Sequence, residues 1–172
     1  VRVFHGQIES PQVAAVLGAT LPVEPRKGMV LVTARMPKRI FHNVYDADYF
    51  GSTQSGDGGL MTSSVIESTP AGNVLIGSSR ERTGFDTQLR LPVLHDIADR
   101  AVRVFPFLRD ASVIRAYGGF RPFTPDHLPV IGPEPEVKGL WYATGHEGSG
   151  IGLSLATAEL VVELLSKESC DN

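Results

Sequence analysis

The sequence has little cysteine and little net charge. Cys170 is the one cysteine among 172 residues, so no internal disulfide can form and a cysteine-rich zinc site is excluded. This usage fits a reducing compartment, and we expect a cytoplasmic location. The formal net charge of −3 gives no basic footprint for nucleic acid. Disulfide-stapled secreted folds and nucleic-acid binding are therefore not expected.

Long apolar runs, paired histidines and a secretion signal are also absent from the sequence. No apolar run approaches the ~20 residues that span a bilayer, so we expect no membrane span. The start, Val1–Gly6, lacks a basic stretch followed by an apolar core. None of the five histidines pairs with another at metal-ligand spacing, and we expect no metal site.

Two common phosphate-binding fingerprints are missing as well. The chain has no Gly-x-Gly-x-x-Gly in a strand–helix unit followed by an acidic residue, and no Gly-Lys-Ser/Thr phosphate loop. It has instead a glycine-rich segment, Gly145–Gly152, which we call the glycine loop. Lying between a predicted strand and a predicted helix, this loop could offer backbone N–H groups and a helix start to a phosphate or an electron-rich ring edge. A simple packing turn is the alternative interpretation.

A second pattern surrounds Arg121, which follows two glycines and precedes Pro122. It predicts an arginine on a tight turn, because glycine lets the backbone bend and approach a ligand closely. Pro122 favours an extended conformation at Arg121. An arginine held in this way can bind a carboxylate in a bidentate pair. Pairing with a local acid such as Asp126 is equally compatible with the pattern.

Periodicity and helix-capping residues predict a mixture of short strands and helices, of the α+β class. Ser10 is predicted as an N-cap and Gly18 as a C-terminal cap. Residues 37–64 are predicted to form hairpins or a mobile loop, and residues 166–172 a fraying tail. The apolar positions of the last helix are predicted to be core. Strands are expected at 29–33, 74–78, 112–117 and 140–143, and helices at 10–18, 91–104 and 150–165.

Several motifs together resemble the C-terminal part of the FAD-dependent amine and amino-acid oxidoreductases, a family that includes D-amino-acid oxidase, glycine oxidase and sarcosine oxidase. The resemblance covers nearly the whole chain, and its C-terminal motifs are specific. The sequence at residues 79–81 and 145–148 is most similar to that of the flavoprotein subunits of hydroxyproline dehydrogenase, opine oxidase and hydrogen cyanide synthase. The motifs that carry it are Gly119-Phe120-Arg121-Pro122, Thr124-Pro125-Asp126, Leu128-Pro129-Val130-Ile131-Gly132 and Ala143 through Ile151.

The resemblance implies FAD as cofactor and oxidation of the C–N bond of an amino acid or a secondary amine carboxylate by hydride transfer to the flavin. It implies that Arg121 binds the substrate carboxylate, and it names no certain catalytic acid or base. The residues that it places at the cofactor are Gly119, Arg121, Gly145, His146, Glu147, Gly148, Ser149, Gly150 and Ile151.

The resemblance also implies an α+β fold with a mostly antiparallel substrate-domain sheet, flanking helices and a C-terminal strand-loop-helix that would complete a missing FAD-binding domain. It further implies a domain organisation. Residues 1–23 would be an edge of the FAD domain and the crossing from it, 24–116 the substrate-binding lobe, and 117–172 the flavin-contacting segment and helix. The family's ADP-binding strand–glycine–helix is missing, and its usual Ala-Ala-Gly-Ala-Trp-type segment is replaced by Phe4–Glu9. The start at Val1 suggests a trimmed or internal start. We therefore expect a C-terminal piece of a larger enzyme, rather than a natural partner of a separate FAD-binding chain, with FAD absent or weakly bound in this chain alone.

A second hypothesis is a non-catalytic binding or assembly module that keeps the fold without flavin. A third is an ordinary α+β domain with coincidental motifs. If a layer is missing, the strand before Arg121 and the last helix should expose apolar surface, and such patches drive association. The expected partners are a small carboxylate-bearing amine, an FAD-binding domain or chain, and a second copy or another subunit.

Overall fold

The computed structural model describes residues 2–5 and 8–170, which form two compact units. One unit is discontinuous, built from the chain up to Arg26 and from Arg121 onward. The other is continuous and spans Lys27–Phe120. We call them the discontinuous unit and the continuous unit. The domain roles assigned from the sequence stay a prediction, because compactness does not report a role.

Eight strands and four α-helices are seen in the described part of the chain. Two short 3₁₀ turns accompany them, at Pro106–Asp110 and Glu147–Ser149. In chain order the elements are β1 (Arg2–His5), α1 (Ser10–Val16), β2 (Glu24–Thr33), β3 (Val44–Tyr45), α2 (Asp48–Gln54), β4 (Met61–Ser68), β5 (Val74–Arg80), α3 (Leu91–Val104), β6 (Val113–Phe123), β7 (Val130–Pro133), β8 (Leu140–Thr144) and α4 (Gly150–Cys170).

The five-stranded sheet has the order β3-β4-β5-β2-β6, and its pairs β3–β4, β4–β5 and β5–β2 are antiparallel. Helix α3 covers one face of it. Its bounds match the predicted helix at 91–104, since Pro92 suits the first turn and Pro106 cannot continue the helix. The core between helix and sheet contains Met29, Leu31, Ile40, Ile66, Val74, Ile76, Val93, Leu94, Ile97, Ala101 and Leu108.

The three-stranded sheet of the discontinuous unit has the order β1-β8-β7. Strand β1 runs parallel to β8, whereas β7 runs antiparallel to it. Every residue of β8 is buried, as expected for a central strand that is covered on both faces. Its core contains Ala14, Ala19, Leu21, Val23, Leu140 and Tyr142.

The predicted α+β class is confirmed, and several local predictions are corrected. Glu9 takes the N-cap position of α1 and Ser10 is its first helical residue. Gly18 has a φ of +81°, as its predicted capping role requires. Residues 37–64 contain β3 and α2 rather than hairpins alone. The Asp46 carboxylate accepts the Tyr49 N–H at 3.0 Å at the start of α2, a capping signal that the sequence analysis missed.

Helix α4 contradicts two sequence-based expectations. It continues to Cys170, so 166–170 do not form a fraying tail. Its apolar side chains are not core: Ile151 is 94% exposed and Leu155 80% exposed, because no described element of this chain covers them. The span Glu147–Lys167 is also long and apolar enough, by length and composition alone, to cross a membrane. A core helix of a larger soluble protein has the same length and composition.

Candidate functional site

Arg121 lies within strand β6, not on a tight turn as its neighbouring glycines suggested. The reason is packing: a Cβ at Gly118 would meet the Gly28 carbonyl oxygen at 3.3 Å, so Gly118 permits close approach of two strands. Arg121 is half-buried, and as residues i and i+2 of a strand it shares a face with Phe123. Arg121, the residue predicted to bind the substrate carboxylate, is therefore carried by a strand, which is more rigid than a loop.

Gly119 and Asp126 occupy different surroundings. A Cβ at Gly119 would meet no atom within 4 Å, so backbone here borders open space. Asp126 uses one carboxylate oxygen to accept the N–H of Leu128 at 3.1 Å, which shapes the turn after β6.

The glycine loop begins at Gly145, where only glycine fits. Its φ is +82°, a left-handed value, and a Cβ would lie 2.7 Å from Thr124 Cγ2. Gly145 is buried between the turn after β6 and the end of β8. At this residue the packing-turn interpretation of the loop holds, and the side chain of any other residue would displace Thr124.

Glu147 turns its side chain inward. Its Oε2 accepts a hydrogen bond from Arg26 Nη1 at 3.1 Å, and its Oε1 lies 3.2 Å from His127 Nδ1. The Arg26 side chain is 1% exposed, and its guanidinium lies over the Phe123 ring at 5.1 Å. The same ring meets the His127 ring edge-on at 5.1 Å between centroids. We call Arg26, Phe123, His127 and Glu147 the Glu147 cluster.

Two members of this cluster have unusual backbone conformations. His127 has a φ of +60° and Glu147 a φ of +48°, and among the described residues no other non-glycine has a positive φ. A left-handed conformation costs a residue with a side chain roughly 1–2 kcal/mol. The two residues face each other through their side chains. Each strained turn is therefore held by a contact with the other.

The outer edge of the glycine loop remains open. A Cβ at Gly148 or at Gly152 would meet no atom within 4 Å, and Ile151 is almost fully exposed. Helix α4 starts at Gly150, directly after the 3₁₀ turn Glu147–Ser149, and this end of the helix carries the positive end of the helix dipole. This edge fits the electron-rich, anionic cofactor that the resemblance implies. No group of histidine, cysteine and carboxylate side chains suited to a metal is found in the described part of the chain.

His146 has a structural contact. Its Nε2 lies 3.0 Å from Thr157 Oγ1, which ties the loop to the second turn of α4. Burial lowers the pKa of His146, so the ring is neutral at neutral pH. A neutral ring beside a hydroxyl orients the loop without adding charge.

The structure brings six of the predicted site residues together in one loop, from Gly145 to Gly150, with Ile151 directly after them. Their contact with a cofactor stays a prediction, as does the role of Arg121. Sequence reasoning missed Arg26 and His127. No local pattern could have revealed Arg26, because its partner Glu147 lies 121 positions away.

Comparisons with known proteins give a consistent answer. Residues 8–164 match the DAO family, described as FAD dependent oxidoreductase. Hydrogen cyanide synthase subunit HcnC of Pseudomonas protegens is 35% identical over 153 residues, which are 88% of this chain and 33% of that protein. Glycine oxidase of Pseudomonas putida is 30% identical over 152 residues, 87% of this chain and 37% of that protein. The crystal structure of glycine oxidase from Geobacillus kaustophilus matches with a TM-score of 0.78 at 27% identity, over 96% of this chain and 41% of that one.

The chain thus spans well under half the length of these relatives, between 33% and 41% in the comparisons above. The resemblance identified from the C-terminal motifs is confirmed, and so is the fold class. Since one family profile covers most of the sequence, the chain belongs to the DAO family of FAD-dependent oxidoreductases.

Proposed function

We propose that this chain is the substrate-binding and flavin-contacting part of an enzyme that oxidises the C–N bond of an amino acid or a secondary amine carboxylate. The observation that carries the proposal is the placement of Arg121. It lies on β6, two residues before the ring of Phe123, against which the Arg26 guanidinium of the Glu147 cluster packs. Strand β6 therefore links Arg121, the candidate residue for binding the substrate carboxylate, to the Glu147 cluster and so to the glycine loop.

The printed names of relatives support the substrate class. Glycine oxidase of Pseudomonas putida is among the similar proteins. Glycine joins an amine nitrogen to a carbon that bears a carboxylate. An arginine fork recognises the carboxylate half of such a molecule through two parallel hydrogen bonds.

The chain's own residues would bind and orient rather than exchange protons. Arg121 would fix the carboxylate, and thereby set which Cα–H faces the cofactor. Backbone N–H groups at the outer edge of the glycine loop would stabilise negative charge, because they are already oriented before the reaction. The chemistry that bound FAD supplies is acceptance of a hydride from the substrate Cα–H, which leaves an imine that water hydrolyses.

The exposed face of α4 supports a further part of the proposal. A helix with fully exposed apolar side chains is stabilised when another layer covers it. We propose an FAD-binding domain or chain as that layer, because the relatives are two to three times longer than this chain. A second copy of this chain and a different subunit are the alternative occupants, and they belong to the hypothesis of an assembly module.

The test is an FAD titration of the purified chain, followed by gel filtration and a visible absorption spectrum. If flavin bands persist, glycine, sarcosine and proline are added without oxygen, and bleaching of the bands reports reduction. Arg121→Ala should weaken substrate binding by about 1.5–3 kcal/mol, or roughly 10- to 150-fold, with FAD binding unchanged. Arg121→Lys should recover part of this, because the charge returns without the fork.

The matched control is Arg103→Ala, since this arginine is 73% exposed in the continuous unit. It should alter neither FAD binding nor substrate binding. A chain that stays colourless would contradict FAD binding by this chain alone, as expected if the covering layer holds most of the cofactor. Substrate affinity unchanged in Arg121→Ala would contradict the role of Arg121.

A further inference from the structure

The Glu147 cluster connects three separate segments of the discontinuous unit. Arg26 comes from β2, Phe123 from the end of β6, and His127 from the turn that follows. Arg26 and His127 both contact one side chain of the glycine loop, Glu147, and the Phe123 ring packs against both of them. The loop has internal hydrogen bonds in its 3₁₀ turn, such as Ser149 N–H to the His146 carbonyl, but its glycines leave the direction in which that turn is set open to contacts from outside it.

Glu147 is suited to receive such contacts. Its carboxylate is 15% exposed, and both oxygens are directed inward, one to a buried guanidinium and one to an imidazole. The side chain therefore points away from the open edge of the loop at Gly148. The Glu147 carboxylate is thus held by protein, and the predicted contact of this residue with the cofactor stays a prediction.

A glutamate at position 147 is unexpected for the backbone conformation found there. A φ of +48° is a conformation that glycine adopts without strain, and glycines stand at Gly145 and Gly148 on either side. A glutamate in this conformation needs a compensating contact. The ion pair with Arg26 provides it, and a buried arginine in turn needs an anion.

We propose that Arg26, Phe123 and His127 are positioning residues that fix Glu147, and through it the direction of the backbone N–H groups from Gly148 onward. None of them needs to touch the cofactor. The inference rests on the proposed function, since it assigns these amides to the flavin edge. It adds that the orientation of the amides is set from behind the loop by a buried ion pair.

The first test is amide hydrogen exchange on the full chain without cofactor. Glu147→Gln keeps the size and removes the charge, and Arg26→Met removes the partner. Both should raise exchange of the loop amides after Glu147 by about tenfold or more, with β8 still protected. Arg26→Lys should restore protection in part, because it returns a cation to the same carboxylate. Glu136→Gln, an exposed carboxylate of the same unit, is the control and should change nothing.

A double variant separates positioning from the cost of an unpaired buried charge. In Arg26→Met/Glu147→Gly neither charge remains, and glycine accepts the left-handed backbone without strain. This variant should fold, keep β8 protected and still show the faster exchange in the loop. Loop exchange equal to that of the unchanged chain, in this variant or in Glu147→Gln, would overturn the proposal.

The second test uses FAD. If the unchanged chain binds it, Arg26→Met should weaken binding by about tenfold and shift the visible flavin bands, and Arg26→Lys should recover both. A buried residue with a purely structural role would lower stability without moving the bands. If the unchanged chain binds no FAD, the covering layer is required for the cofactor, while the exchange experiment still decides whether the cluster positions the loop.

Discussion

Helices α3 and α4 show how differently the two units are completed. α3 buries Val93, Leu94, Ile97 and Ala101 against the sheet of its own unit. α4 is longer, yet its apolar side chains remain largely exposed. Both sequences would be predicted as stable helices with apolar faces. The difference teaches that the continuous unit contains the surface its helix requires, whereas the described part of the chain offers α4 no such surface.

The largest effect should come from breaking the core of the continuous unit. Ile97→Ala removes a fully buried side chain between α3 and the sheet, and we expect a loss of about 2–5 kcal/mol in unfolding free energy. Denaturant unfolding followed by circular dichroism measures it. Leu155→Ala in α4 is the counterpart and should change stability by less than about 0.5 kcal/mol. Equal losses at both positions would mean that α4 is covered in solution.

A smaller but local effect is expected at the glycine loop. Gly145→Ala forces a left-handed alanine and a contact with Thr124, and we expect a loss of about 3 kcal/mol. Trp141 is the single tryptophan and lies buried on β8, so its fluorescence reports on the discontinuous unit. Gly148→Ala is the control, because open space surrounds its Cβ position. If both variants behave alike, the fit at Gly145 is not what holds the loop.

Association of the chain should depend on α4 and not on α3. We expect the chain to self-associate through the exposed face of α4, and Leu155→Lys/Val162→Lys should raise the Kd of association by about tenfold or more. Leu91→Lys in α3 is the control, since Leu91 is an exposed leucine, 78% accessible, on the helix that is not expected to mediate association. Sedimentation equilibrium provides the measurement. A strictly monomeric unchanged chain at high concentration would contradict the expectation.

The smallest effect is a pH dependence at His146. Because burial lowers its pKa in the folded chain, the neutral ring is the form that folding favours. The contribution of His146 to the free energy of unfolding is therefore complete above the pKa of the unfolded chain, near 6.5. It is lost as the pH falls from there through the lower pKa of the folded chain. His146→Gln should flatten this slope in Trp141-reported unfolding, whereas His42→Gln in the other unit should not. A slope that persists in His146→Gln would assign it to another group.

The sequence was sufficient where local chemistry decides structure. Proline and periodicity gave the bounds of α3, and glycine marked the loop after β8. It was insufficient where distant segments meet. Arg26 and Glu147 form an ion pair although they lie 121 positions apart, and no sequence pattern near either residue predicts this pairing. The exposure of α4 was hidden for a related reason, because an apolar pattern does not show where the covering layer lies.

The order of the two sheets along the chain has a consequence for synthesis. Strand β1 pairs with β8, so the three-stranded sheet cannot close until residue 144 has left the ribosome. The continuous unit is complete by Phe120, and its outer segments β2 and β6 are neighbours in one sheet. Because β2 and β6 are neighbours, the folded continuous unit holds the starting points of the two segments of the discontinuous unit close together. Folding of the continuous unit therefore shortens the search by which β1 and β8 find their pairing.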